Sequence, residues 1–195
     1  MEKSKKLIAI TGGIGSGKSF VLSTLKSQGY QTLSSDEIVT KLYKKRSVLK
    51  KVKALFPLAV KGVFAPTIDR KYLASEVFSC NEKRKALTDL VTPLVYDYII
   101  SYSKKVTGKL FVEVPLLFET NKQNDFDNVI IIYRNLKDRI ESVKTRSNLT
   151  EKEILARIAS QVDYERIDKN NYIVLENDGD KETFTQKILT IASSI

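Results

Sequence analysis

The chain has 195 residues, 42% of them hydrophobic, and its 33 Lys and Arg against 23 Asp and Glu leave a net charge of +10. That is enough apolar material for one good core, with no low-complexity stretch, so a disordered chain is excluded and one compact domain with an inserted lobe is expected. Cys80 is the only cysteine, which excludes an intramolecular disulfide and a cysteine-rich metal site, and the positive charge suits a nucleic acid, an anionic membrane or a small polyphosphate equally.

The first residues are basic and lead into an apolar run, as a secretory leader does, but Leu7 to Ile10 is too short for one and enters a glycine-rich loop, so it reads as a buried strand. No apolar stretch approaches the roughly 20 residues of a membrane helix, so a soluble protein with no membrane partner is expected, and the single cysteine fits the reducing cytoplasm. Gly12 to Ser19 reads GGIGSGKS, with Gly17, Lys18 and Ser19 following Gly12 at the spacing of a phosphate-binding loop. Glycines let several backbone N–H groups turn toward one point, where the N-terminus of the next helix adds partial positive charge. Lys18 is then expected to reach the β- and γ-phosphates of a nucleotide, and the Ser19 hydroxyl to ligate Mg²⁺. The alternative, a glycine turn that binds nothing, is opposed by the strand before the loop and the helix after it.

Val21, Leu22 and Leu25 at helical spacing predict a helix from Phe20 to Gln28, ended by Gly29. Further strands are expected at Tyr30 to Ser34, Lys109 to Val114, Asn128 to Tyr133 and Tyr172 to Leu175. All are rich in Val, Ile and Leu with little alternation and are separated by helices, which implies a parallel sheet covered on both faces, a three-layer α/β fold. The helical stretch from about Asp36 to Val106 is too long for one crossover and should form a lobe beside the sheet, with Thr92-Pro93 marking a helix break inside it.

Asp36 follows the second strand, at the edge where such sheets gather ligands, and the chain has no histidine, so a carboxylate is the obvious proton acceptor for a hydroxyl near a γ-phosphate. Equally, Ser34, Ser35 or Asp36 could cap the helix beginning near Glu37. Glu113 ends the third strand as a metal-binding or substrate-binding acid does, or as half of a salt bridge. Between Arg134 and Arg166, Thr150 and Glu153 form a capping box, and Arg157 and Gln161 share a helix face. Such arginines either close over a transferring phosphoryl group as a lid or are solvated surface charges. Lys41 to Lys53 carries seven basic residues and no acid, with Tyr43 its only aromatic. It reads as a solvated helix face with Leu42, Leu49 and Val52 buried beneath, because base stacking on nucleic acid would want more rings. NKQND at Asn121 to Asp125 reads as a loop.

Taken together, TGGIGSGKS at Thr11 to Ser19, Asp36 to Ile38, IDRKYLASEVF at Ile68 to Phe78, VPLLFE at Val114 to Glu119, ARIASQ at Ala156 to Gln161 and ENDG at Glu176 to Gly179 resemble the dephospho-CoA kinase family over nearly the whole chain. The resemblance implies a P-loop nucleotide-kinase-like fold with a five-stranded parallel sheet, a helical lobe that grips the substrate and an arginine-bearing lid. It places the core at about 1–40, 107–138 and 168–195, the lobe at about 41–106 and the lid at about 139–167. It implies phosphorylation of the ribose 3′-hydroxyl of dephospho-CoA with ATP and Mg²⁺, as a monomer or weak homo-oligomer with no nucleic acid bound. By position it carries ATP binding to Gly13, Gly15, Ser16, Gly17, Lys18, Ser19 and Phe20, with Arg146 and Arg157 from the lid. Catalysis falls to Asp36, Lys18 and Arg146, and substrate contacts to Asp36, Arg70, Glu113 and Gln161. Three positions depart from the family pattern: Phe20 replaces a threonine, Thr92 the histidine of a His-Pro pair, and Ser142 an additional lid arginine that Arg139 would have to replace. The rival readings are a kinase for another small hydroxyl acceptor and a nucleic-acid binder switched by nucleotide.

Overall fold

The computed structural model describes residues 5–147 and 149–195. The chain divides into two compact units, one made of the residues up to Ser34 with Lys105–Ile195, the other of Ser35–Lys104. The first unit begins with β1 (Lys6–Thr11), α1 (Lys18–Ser27) and β2 (Gln31–Ser34). The second contains α2 (Ser35–Leu42), α3 (Arg46–Leu55), the short strands β3 (Val60–Lys61) and β4 (Thr67–Ile68), α4 (Arg70–Ser79) and α5 (Asn81–Ser103). The chain then returns to the first unit as β5 (Lys109–Glu113), β6 (Asn128–Tyr133), α6 (Leu136–Arg146), α7 (Glu151–Ala159), β7 (Ile173–Glu176) and α8 (Lys181–Ser194).

The first unit is built on a five-stranded sheet in the order β2-β5-β1-β6-β7, parallel throughout, as the apolar runs predict. Successive residues of β1, Leu7 to Thr11, are all buried. Neighbouring residues of a strand face opposite sides, so both faces of the sheet are covered. On one face, Val21 and Leu25 of α1 meet Phe184, Ile188 and Ala192 of α8 in a core with Ile8, Ile10, Phe111, Ile130 and Ile132. β1 lies at the centre, with β5 and β2 on one side and β6 and β7 on the other. The loop after β1 therefore opens where the strand order reverses, the position at which open α/β sheets bind ligands.

The second unit is helical except for an antiparallel pairing of β3 with β4, a hairpin that the sequence reading did not anticipate. Its turn uses Gly62 at φ +90°, and Lys61 and Asp69 pair at 2.6 Å beside it. Asp69 also caps α4, accepting the N–H of Tyr72 at 3.0 Å. The basic run behaves as expected: Leu42, Val48, Leu49 and Val52 are buried, while its lysines are exposed.

The expected break at Thr92-Pro93 is absent, because α5 runs unbroken from Asn81 to Ser103 with Pro93 inside it. An interior proline removes one helical hydrogen bond and costs about 3 kcal/mol. Here Val91, Val95, Tyr96 and Ile99 are buried on one side while Pro93 is exposed, so tertiary packing carries the helix past it. No helix among the described residues is long and apolar enough to cross a membrane.

Candidate active site at the phosphate loop

Gly12, Gly15 and Gly17 have φ of +144°, +79° and +106°, a backbone region from which other residues are largely barred. Space forbids side chains there too. A Cβ on Gly12 would lie 2.4 Å from the Ile132 carbonyl oxygen, and one on Gly15 2.4 Å from that of Arg139. The amides of Ser16 and Phe20 donate within the loop, to the carbonyls of Gly13 (3.2 Å) and Gly17 (3.0 Å). Lys18, the first residue of α1 and 9% exposed, turns back over the loop and donates to the carbonyls of Gly12 (2.7 Å) and Gly13 (3.0 Å). The Ser16 hydroxyl is buried without a hydrogen-bond partner. A buried donor with no acceptor, in a nest of backbone at a helix N-terminus, suits a phosphate oxygen.

The Ser19 hydroxyl donates to Glu113 Oε1 at 3.2 Å. Glu113, 8% exposed, stands at the C-terminal end of β5 opposite Ile10 of β1 and Ser34 of β2. Gln161 also joins the loop, its Oε1 accepting the Ile14 N–H at 2.7 Å. The expectation that Gln161 shares a helix face with Arg157 is corrected: α7 ends at Ala159, and Gln161 lies beyond its cap. The capping box that starts α7 is present, with Thr150 N–H donating to Glu153 at 2.8 Å.

A model of the dephospho-CoA kinase family matches residues 6–183. The chain belongs to the dephospho-CoA kinase family. Such membership makes it a kinase, and the family's reaction is the phosphorylation of dephospho-CoA in coenzyme A synthesis. A dephospho-CoA kinase of Thermus thermophilus is 34% identical over 190 residues, covering 97% of this chain and 91% of the relative. A crystal structure from Thermus thermophilus superposes with a TM-score of 0.84 at 34% identity and 98% coverage of both chains. The dephospho-CoA kinase structure from Campylobacter jejuni gives 0.70 at 27% identity and 96% coverage of both.

The family's other marked positions are placed as follows. Asp36 is exposed in the first turn of α2, which starts at Ser35. It is therefore a helical residue and not the N-cap, which removes its capping role; with Glu37 it puts negative charge at a helix N-terminus. Arg70 opens α4 with its guanidinium 5.7 Å from the centre of the Tyr43 ring, and both belong to the second unit with Asp36. Arg146 ends α6 on the exposed surface, and Arg157 is half-buried in α7, where its charge adds to the hydrogen bonds from Thr150 that hold Glu153 below the usual carboxylate range. The Phe20 ring, in place of the family's threonine, stacks on Phe184 at 5.8 Å and has the Lys181 ammonium 5.4 Å above it.

Three residues that clasp the loop carried no sequence signal of that role. Arg139 Nε donates to the Ile14 carbonyl at 2.9 Å, and burial lowers its pKa. The Asn177 amide donates to the Ser16 carbonyl at 2.8 Å, and the Tyr164 hydroxyl lies 3.0 Å from Thr11 Oγ1. Asn177 stands in the ENDG motif that marked the family, whereas nothing in the pattern around Tyr164 pointed to the loop.

Proposed function

We propose that the chain transfers the γ-phosphoryl group of ATP to the ribose 3′-hydroxyl of dephospho-CoA, giving CoA and ADP. The observation that carries this reading is the loop itself: glycine-shaped, opening α1, with Lys18 folded over it and the Ser16 hydroxyl waiting for an acceptor. Lys18 and the loop amides would hold the β- and γ-phosphates. Ser19 and Glu113 offer hard oxygen donors 3.2 Å apart, the chemistry that suits Mg²⁺, and would hold it. When bound, that ion supplies neutralisation of phosphate charge.

Asp36 accepts the proton of the 3′-hydroxyl as the new O–P bond forms and the bond to the β–γ bridging oxygen breaks. The reading is supported by its place two residues after Ser34, the strand residue that pairs with Glu113, and by the absence of histidine. Arg146 and Arg157 neutralise the equatorial oxygens of the transferring group, and Arg70 and Gln161 contact the substrate. The enzyme works in the cytoplasm as a monomer or weak homo-oligomer.

The test is incubation of purified protein with ATP, Mg²⁺ and dephospho-CoA, followed by mass analysis. CoA and ADP are expected, and a substrate lacking the 3′-hydroxyl should give neither. Phosphorylation of a nucleoside monophosphate or sugar acid in preference to dephospho-CoA would overturn the proposal.

A further inference from the structure

The loop's first two residues are the consecutive glycines Gly12 and Gly13, and Gly12 has φ +144°. Glycine has the widest conformational freedom of any residue, so this stretch cannot fix its own course out of β1, and its geometry must be imposed by neighbours. Farther along, Gln161, Arg139 and Asn177 hold Ile14 and Ser16. At the exit from β1, Lys18 holds the Gly12 and Gly13 carbonyls from one side, and the phenol of Tyr164 meets the strand's last side chain, Thr11.

Tyr164 is 6% exposed, with its hydroxyl 3.0 Å from Thr11 Oγ1. The two hydroxyls share one buried hydrogen bond, and it ties the phenol to the last residue of β1, directly before the loop's first glycine. Burial pushes the phenol pKa up to about 12, which keeps its proton in place at any working pH. The ring is itself fixed. It packs edge-to-face on Phe118 at 6.0 Å, and the N–H of Val162, two residues earlier, donates to Glu119 Oε1 at 3.0 Å. Phe118 and Glu119 belong to the segment after β5, so the anchor is independent of the loop it serves.

We propose that Tyr164 is a positioning residue for nucleotide binding, acting through Thr11 to set the path on which the chain enters the phosphate loop. This rests on the reading of the loop as the ATP site. The residue does not touch the reacting atoms. Its removal should therefore weaken nucleotide capture and leave the transfer step alone.

The test compares Tyr164→Phe, Thr11→Val and the double variant with the parent enzyme. Each single change keeps the packed shape and removes one hydroxyl. KM for ATP should rise about three- to tenfold in each, the scale of one lost hydrogen bond, with kcat within twofold and KM for dephospho-CoA unchanged. The double variant should be no worse than the worse single, because both break the same link. A parent enzyme inactive with ATP would defeat the functional reading before the variants are compared. With an active parent, an unchanged KM for ATP in Tyr164→Phe, whether or not its Tm falls, would overturn the proposal. Multiplicative losses in the double variant would overturn the route through Thr11.

Discussion

Arg139 and Arg146 stand seven residues apart on α6, about two helical turns, yet they live in different surroundings. Arg139 is half-buried and fastened to the Ile14 carbonyl, whereas Arg146 is exposed at the helix end. The same contrast separates Lys18, laid over the carbonyls of its own loop, from Asp36, exposed in the first turn of α2. Clasped residues define a shape, and their loss should cost stability as well as binding. Open residues are available to a substrate, and their loss should cost turnover far more than stability.

The sharpest attack on this distinction is Asp36→Asn, which keeps the shape and removes the carboxylate proposed as the base. Turnover should fall roughly 10²- to 10⁴-fold while ATP affinity stays put and stability drops by no more than the roughly 0.3–1 kcal/mol that one exposed charge at a helix N-terminus is worth. Steady-state kinetics with unchanged turnover would return Asp36 to a merely electrostatic place at its helix end. Arg146→Ala should follow, lowering kcat about 10³-fold, the low end for an arginine that meets a transferring phosphoryl group, with no change in Tm. A matched loss of Tm would put Arg146 among the clasped residues.

For the clasped set the expected readout is a melting curve. Gly15→Ala combines φ +79° with a Cβ 2.4 Å from a backbone oxygen, and should cost about 1–3 kcal/mol. Gly13→Ala instead meets the tip of the Arg139 side chain at 2.3 Å, which can swing aside, so it should be the milder of the two and behave like Arg139→Ala. A larger loss at Gly13 than at Gly15 would mean that the guanidinium is held more tightly than its single bond to Ile14 suggests. The smallest effect belongs to Thr150→Ala, remote from the loop, where losing the cap of α7 should cost about 1 kcal/mol, or roughly 2–4 °C in Tm. Unaltered KM for ATP is expected there.

What could be read from the sequence was what neighbours in the chain decide. Asn128 to Tyr133 is a strand because Val and Ile fill it, the loop forms because its glycines sit where φ must be positive, and Thr150 caps α7 because Glu153 is three residues on. Pro93 misled because the local cost of proline is real, but long-range packing along Val91, Val95, Tyr96 and Ile99 outweighs it. The β3–β4 hairpin was missed because two-residue strands have no periodicity to detect. Arg139 and Tyr164 join the loop across more than 120 residues of sequence, a pairing that only the folded sheet creates. The family motifs marked Gln161 and Asn177, though their hydrogen bonds to Ile14 and Ser16 are tertiary facts.

The posture of Lys18 has an entropic consequence. A lysine on an open surface samples many rotamers, and immobilising it on a ligand forfeits up to about 2 kcal/mol of affinity. Here two carbonyls already hold the ammonium, so that freedom was surrendered when the chain folded. Capture of the polyphosphate then exchanges electrostatic partners around a side chain already in position, and calorimetry should find little ordering penalty from it.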